Sequence, residues 1–243
     1  MDEQAEVGRK KVRNGELMNN RMKPENGAAQ CQGCGTCCRR GGPTLHLDDI
    51  NLVEQGIIGF GELVTIRRNE PAYNPVRDKV LPSASEFIKI KGRGNTWSCL
   101  FFAEEGNCCA VYRDRPLECR LLFCRDTGPL TEVIGEHLLT RRALLADDDP
   151  VLDLLERHEE ECSYGPVNDL LAGGEKVRDD IEARLTAQVG RDLAVRDCFL
   201  RTYPKRGAEE LFLFGRPLFL VLAPHGFRLV EDNSRISLVQ SAS

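Results

Sequence analysis

The sequence predicts an α+β fold: an irregular cysteine-rich metal-binding core with short strands, flanking helices and a C-terminal β-hairpin element. Three observations lead there. Cysteines gather in two groups, Cys31–Cys38 and Cys99–Cys124, on either side of a loop-rich stretch. The segment Phe87-Ile88-Lys89-Ile90-Lys91 alternates apolar and polar residues as a strand does. Residues 175–200 carry Val177, Ile181, Leu185, Val189 and Leu193, one apolar stripe of a helix.

The elements follow in order. Residues 1–26 are charged, lack apolar periodicity and read as a polar N-terminal tail. Residues 27–165 read as the cysteine-cluster metal-binding domain. Within it, Asp48 or Asp49 can cap a short helix through Ile50, Leu52 and Val53 that stops near Gly56. Residues 61–85 read as an extended loop with one strand at Leu63–Ile66. Gly92-Arg93-Gly94-Asn95 is a turn signal, so Trp97–Phe102 is expected to return as the hairpin partner of 87–91. Residues 136–161 read as helical, interrupted at Pro150. Residues 166–243 read as a C-terminal helix plus short strands packing on the domain. Those strands are expected at Phe212–Phe214, Leu218–Leu222 and Phe227–Val230.

Bulk numbers narrow the function classes. The chain has 243 residues, 41% hydrophobic and 29% charged, ordinary for a globular protein. It can bury a core without needing a metal for that purpose. A net charge of −5 with interspersed signs gives no general electrostatic footprint for nucleic acid. The N-terminus has no apolar core and no small-residue cleavage site, so no signal peptide is expected. The longest apolar run, Pro217 to Pro224, is too short to span a bilayer. Residue 2 is Asp and no cysteine lies near the C-terminus, which gives no lipidation signal. A cytoplasmic protein without a membrane or nucleic-acid partner is expected.

Eleven cysteines then need a reason. The cytoplasm keeps thiols reduced, the count is odd, and the vicinal pairs Cys37-Cys38 and Cys108-Cys109 fit disulfide geometry poorly. Metal ligation is the leading explanation. Cys31, Cys34, Cys37 and Cys38 fall within eight residues at two-residue gaps that let thiolates reach one ion across a tight turn. Gly33 and Gly35 supply the backbone freedom that turn needs. The spacing resembles the first three ligands of a bacterial ferredoxin, while a single Cys-x2-Cys also suits zinc. In the second group Arg113, Arg115, Arg120 and Arg125 interleave with Cys99, Cys108, Cys109, Cys119 and Cys124. They read either as charge compensation for thiolates or as a solvated face.

These segments together resemble the YkgJ-type cysteine-cluster proteins, the CxxCxxCC family of zinc- or iron-chelating domains. The first element is Cys31, Cys34, Cys37 and Cys38, and the second Cys99-Leu100-Phe101. The third is Cys109-Ala110-Val111-Tyr112 continuing through Arg115-Pro116 to Cys119-Arg120. The last is Cys162-Ser163-Tyr164-Gly165, which departs from the family by lacking the usual proline and glycine directly after the cysteine. The resemblance spans roughly residues 30–165. It implies eight metal ligands: Cys31, Cys34, Cys37, Cys38, Cys99, Cys109, Cys119 and Cys162. One arrangement joins Cys31, Cys34 and Cys37 to a remote cysteine, and Cys38 to Cys99, Cys109 and Cys119. Cys198 and Cys124 read as core residues, Cys108 as a spare thiol beside a ligand, and His158 as a surface histidine.

All-thiolate sites favour an iron–sulfur cluster or Zn2+, and the ferredoxin-like triple tips the balance slightly to iron–sulfur. No dinucleotide, phosphate-loop, zincin or nucleophile-elbow motif is present, and the catalytic residues are unknown. The readings that stand are a redox or metal-binding module, with a protein redox partner in prospect; a metal-dependent enzyme, oxidoreductase or methylase-like; and a zinc-stabilised interaction domain.

Overall fold

The computed structural model describes residues 33–94, 96–172, 178–232 and 235–240. Cys31, Val177 and the tail 1–26 lie outside the described residues. The architecture is mixed α+β, built from helices and short antiparallel strand pairs with no closed sheet. Among the described residues no helix is long and apolar enough to cross a membrane.

The first half is organised around one strand pair. Strands β1 (Leu63–Ile66) and β4 (Phe87–Ile90) run antiparallel, with Leu63 opposite Ile90 and Ile66 opposite Phe87. Leu63, Thr65, Ile88 and Ile90 are buried and share one face of the pair, as β-strand alternation demands. Between them, β2 (Pro71–Asn74) and β3 (Lys79–Pro82) make a separate hairpin. Ahead of β1 lie α1 (Thr36–Arg40) and α2 (Ile50–Glu54), the latter ending at Gly56 with φ +68 as expected. After β4 come β5 (Phe102–Ala103), β6 (Cys108–Cys109) and α3 (Leu117–Leu121), then α4 (Gly128–Val133).

Helices complete two cores. α5 (Arg141–Leu144), α6 (Leu152–Glu161) and α7 (Tyr164–Ala172) lead to the long α8 (Arg178–Thr202). α9 (Glu210–Phe214) packs on β1, where the Phe60 and Phe212 rings stack with centroids 4.4 Å apart. α10 (Leu218–Leu222) and the hairpin β7 (Phe227–Asp232)–β8 (Arg235–Gln240) close the far end. α8 spans both cores. Leu185 and Val189 enter the cluster with Tyr164, Leu222 and Phe227, while Val195 and Phe199 enter the cluster with Leu63, Ile88 and Phe214. Burying such faces is the main stabilising term.

Several expectations are corrected. Residues 212–214 and 218–222 are helical, not strands. Both runs are short and apolar on every side, so periodicity could not separate a buried strand from a buried helix turn. The partner of β4 is β1, not Trp97–Phe102. Among the described residues the chain after β4 makes a Gly92–Cys99 bridge, with backbone hydrogen bonds from Arg93 to Ser98, Thr96 to Arg93 and Leu100 to Lys91, and Phe102 then pairs onward with Cys109. Helix 136–161 is reduced to α5 and α6, separated by a non-helical 145–151. The 61–85 loop contains the β2–β3 hairpin as well as β1.

Candidate metal centre

The cysteine segments are assembled by backbone contacts. Gly33 and Gly35 adopt left-handed conformations, φ +66 and +75, and Gly35 caps α1, which carries Cys37 and Cys38. A side chain at Gly35 is also barred by space. Its Cβ would lie 2.8 Å from Phe102 Cε2 and closer still to Cζ. The Cys38 carbonyl accepts from the Cys99 amide at 2.7 Å, joining the first cysteine element to the second. The β5–β6 register sets Phe102 opposite Cys109, joining the second to the third.

Cys119 arrives on α3, which is held at two points. The Leu117 amide donates to Asp49 Oδ1 at 2.8 Å, and the fully buried Asp49 also accepts from the His46 amide through Oδ2 at 3.0 Å. Glu118 Oε2 accepts from the Thr44 amide at 2.7 Å. Three segments remote in sequence therefore converge at Cys38, Cys99, Cys109 and Cys119.

The thiol pKa directions follow from the same convergence. Burial pushes the Cys38 thiol up to about 12, aided by repulsion from Cys37, Cys99 and Cys109. Burial also raises Cys119 far above the thiol range, aided by Cys99, Cys38, Cys109 and Cys37. Cys99 is raised by burial and, in lesser part, by Cys109. All six pairings within Cys38, Cys99, Cys109 and Cys119 appear in these couplings. Such a set cannot ionise in a half-buried site without a cation. The one cation turned to it is Lys89 among these couplings. Its ammonium is depressed by desolvation, and Glu118, Cys119 and Cys99 act against that depression.

The fit to a metal rests on donor chemistry. Cys37 Sγ and Cys38 Sγ are 4.0 Å apart. Ligands on one tetrahedral ion with bonds near 2.3 Å sit about 3.8 Å apart. Among the described residues, no group of three or more His, Cys, Asp or Glu side chains is placed so that it could hold a metal ion as it stands. The thiols are thus gathered without being closed on a centre. Soft thiolates in this number suit zinc or iron and not magnesium or calcium.

The remaining expected residues fall as follows. Cys34 is exposed, with Sγ 3.3 Å from Thr36 Oγ1, and hydrogen bonding by the Thr36 hydroxyl and amide lowers its pKa. Cys162 is buried, and its thiol is pushed up to about 12 by burial and then by Asp192. Its other charged neighbours are Arg67, Glu161 and Arg191, with no cysteine among them. Cys124 and Cys198 are exposed, correcting the reading of both as core. On α8 the buried positions near Cys198 are Val195 and Phe199, which leaves it on the outer flank. His158 is buried, not surface. Its Nε2 lies 2.7 Å from Asp192 Oδ1, a partner 34 residues away that sequence spacing could not reveal.

The arginines divide. Arg115 stacks its guanidinium 3.9 Å from the Tyr112 ring centroid. Arg120 donates to the Arg115 carbonyl at 2.8 Å and stands 3.9 Å from Asp49. Both therefore brace the approach to α3, while Arg113 and Arg125 are exposed. The residue that sequence reasoning missed is Lys89. Alternation with Ile88 and Ile90 assigns it to the outer face of β4, and nothing local signals that the cysteine segments cover that face.

Residues 30–132 match the family model CxxCxxCC, described as "Putative zinc- or iron-chelating domain". This segment is similar to that family. The CxxCxxCC match takes in both cysteine groups through Cys124 and ends before Cys162, covering less than half of the chain. No curated protein and no solved structure matches the chain.

Proposed function

We propose that Cys38, Cys99, Cys109 and Cys119 hold one four-coordinate thiophilic ion, zinc or iron, and that the chain acts as a metal-binding module. The observation that carries this is the set of backbone contacts that brings the segments of Cys38, Cys99, Cys109 and Cys119 together, with the mutual rise of their thiol pKa values in support. Four thiolates complete a tetrahedral sphere and leave no open position, which favours a closed centre over one that touches substrate. With iron the site would exchange electrons with a redox partner; with zinc it would be structural.

The residues supply three things. The cysteines give up their protons on binding, so affinity falls as pH drops. Lys89 offsets part of the net charge of about −2 that four thiolates and a divalent ion carry. Asp49 and Glu118 fix α3 and with it Cys119. Cys162 is left outside this set because its charged neighbours are Arg67, Asp192, Glu161 and Arg191.

The test is anaerobic purification of the full chain, followed by metal analysis and an absorption spectrum. Bound zinc without colour, or iron with sulfur-to-iron charge-transfer bands, supports the reading, provided that the metal is lost in Cys119→Ser. A chain that takes up neither metal after reconstitution under reducing conditions overturns it.

A further inference from the structure

The hairpin that closes the far end of the molecule has one covered edge and one open edge. β7 and β8 form a sheet of two strands, so each has a single neighbour. The outer edge of β8 is held by α8. The Leu238 amide donates to Thr186 Oγ1 at 2.9 Å and the Gln240 amide to Glu182 Oε1 at 3.1 Å. Those amides therefore point away from β7. Residues opposite each other in an antiparallel pair turn outward together. Leu229 stands opposite Leu238 and Glu231 opposite Ile236, so by alternation Leu229 and Glu231 present their backbone groups at the outer edge of β7.

Nothing in the chain takes up that edge. Among the described residues, no hydrogen bond from outside the hairpin reaches the backbone of Leu229 or Glu231. The strand is six residues long, contains no proline, and keeps an unbroken register with β8, so no bulge turns the edge aside. An edge of this kind is a template for another strand.

The order of charges along Phe227-Arg228-Leu229-Val230-Glu231-Asp232 indicates which strand. Two copies of β7 can pair antiparallel when outward residues stand opposite outward residues. In the register centred on Val230, Leu229 exchanges backbone hydrogen bonds with Glu231 of the partner subunit. Arg228 then lies across from Asp232 of the partner subunit, and Val230 meets the partner's Val230 between the two charge pairs. These are the non-hydrogen-bonded positions, where opposite side chains come closest. Opposite charges and β-branched pairs placed there stabilise the pairing. Arg228 and Asp232 are exposed, and neither is in an ion pair among the described residues. The register centred on Leu229 sets Arg228 across from Val230 and Asp232 across from Gly226, and matches no charge.

We propose that β7 is a dimerisation edge, pairing antiparallel with β7 of a second copy of this chain about a two-fold axis at Val230. The result is a four-stranded sheet with β8 at each margin. This assignment does not depend on the metal-binding reading. A single edge pairing is a small interface, so the dimer is weak and forms with rising concentration.

The experiment is sedimentation equilibrium of the full chain from micromolar to millimolar concentration, with hydrogen exchange of residues 227–232 measured alongside and far-UV circular dichroism to confirm folding. The wild type is expected to dimerise, and exchange in β7 to slow as it does. Glu231→Pro removes an outward amide, which an edge strand tolerates, and should stay monomeric while folded. Arg228→Asp and Asp232→Arg each set like charges opposite each other, and each should raise the dissociation constant about tenfold or more. An equimolar mixture of these two variants restores both charge pairs and should associate as a heterodimer. A wild type that is monomeric at every concentration overturns the proposal. So does a dimer that leaves β7 exchange unchanged or persists in folded Glu231→Pro, since another surface then holds it. Folded charge variants that associate no better mixed than alone overturn the register centred on Val230.

Discussion

Gly35→Ala tests how the fold gathers the cysteines. The backbone there is left-handed, φ +75, which costs a non-glycine residue about 1–2 kcal/mol. The new methyl would also stand 2.8 Å from Phe102 Cε2 and 2.9 Å from Arg39 Nη1. Phe102 is 2% exposed, and Arg39 lies over its ring at 5.0 Å, so the ring has little room to yield. Overpacking of this kind costs about 1–3 kcal/mol. The two terms give about 2–5 kcal/mol, a large share of a typical stability of 5–15 kcal/mol. Gly56→Ala is the matched control, with φ +68 and nothing within 4 Å of the added methyl. It should cost only the conformational term, about 1–2 kcal/mol. Urea melts of the two variants isolate the clash by difference. Because Phe102 pairs with Cys109, Gly35→Ala should also weaken zinc binding while Gly56→Ala should not. Equal losses in the two variants, with unchanged zinc affinity, would refute the claim that this glycine seats the cysteine loop on Phe102.

Cys119→Ser should lower bound metal and melting temperature together, since metal-binding energy is also folding energy. The exposed Cys198→Ser should leave metal content unchanged and stability within about 0.5 kcal/mol, as judged by metal analysis and thermal melts. Lys89→Met removes the cation facing Cys99, Cys119 and Glu118. It should weaken zinc binding by about tenfold, roughly 1.4 kcal/mol, while leaving or raising the stability of the metal-free chain; an unchanged chelator competition curve would rule out charge compensation. Burial raises the Glu159 carboxyl, but Arg67 and Arg141 outweigh it and hold the group at about 2, below its ordinary 4.5. Its folded pKa is depressed, so its stabilising contribution is present above pH 4.5 and is lost as pH falls toward 2. Glu159→Gln should therefore flatten the loss of melting temperature across that window, and an unchanged acid profile would show that the Arg67–Glu159–Arg141 link does not set it.

What the sequence made legible was chemistry with a short reach. Two-residue cysteine gaps, Gly33 and Gly35, and the stop of α2 at Gly56 are local constraints that the fold obeys. The grouping of Cys38 with Cys99, Cys109 and Cys119 was one arrangement of the eight ligands that the family resemblance implies. Groups fixed by tertiary context were not legible. Lys89 obeys strand alternation, yet the surface it faces is supplied by Cys99 and α3. Asp49 stands at the N-cap of α2, as expected, but its side chain makes no capping bond there and ties Leu117 to the His46 amide. His158 is buried because Asp192 reaches it from α8. Phe212–Phe214 and Leu218–Leu222 are helical, but their short apolar composition fits strand and helix alike.

The central claim is a closed, single-ion, all-thiolate centre. X-ray absorption at the edge of whichever metal the anaerobically purified chain retains tests it most directly. The account requires a first shell of sulfur alone, four atoms at about 2.3 Å, with no short metal–metal vector. Nitrogen or oxygen neighbours, or the short iron–iron vector of a polynuclear cluster, would contradict it.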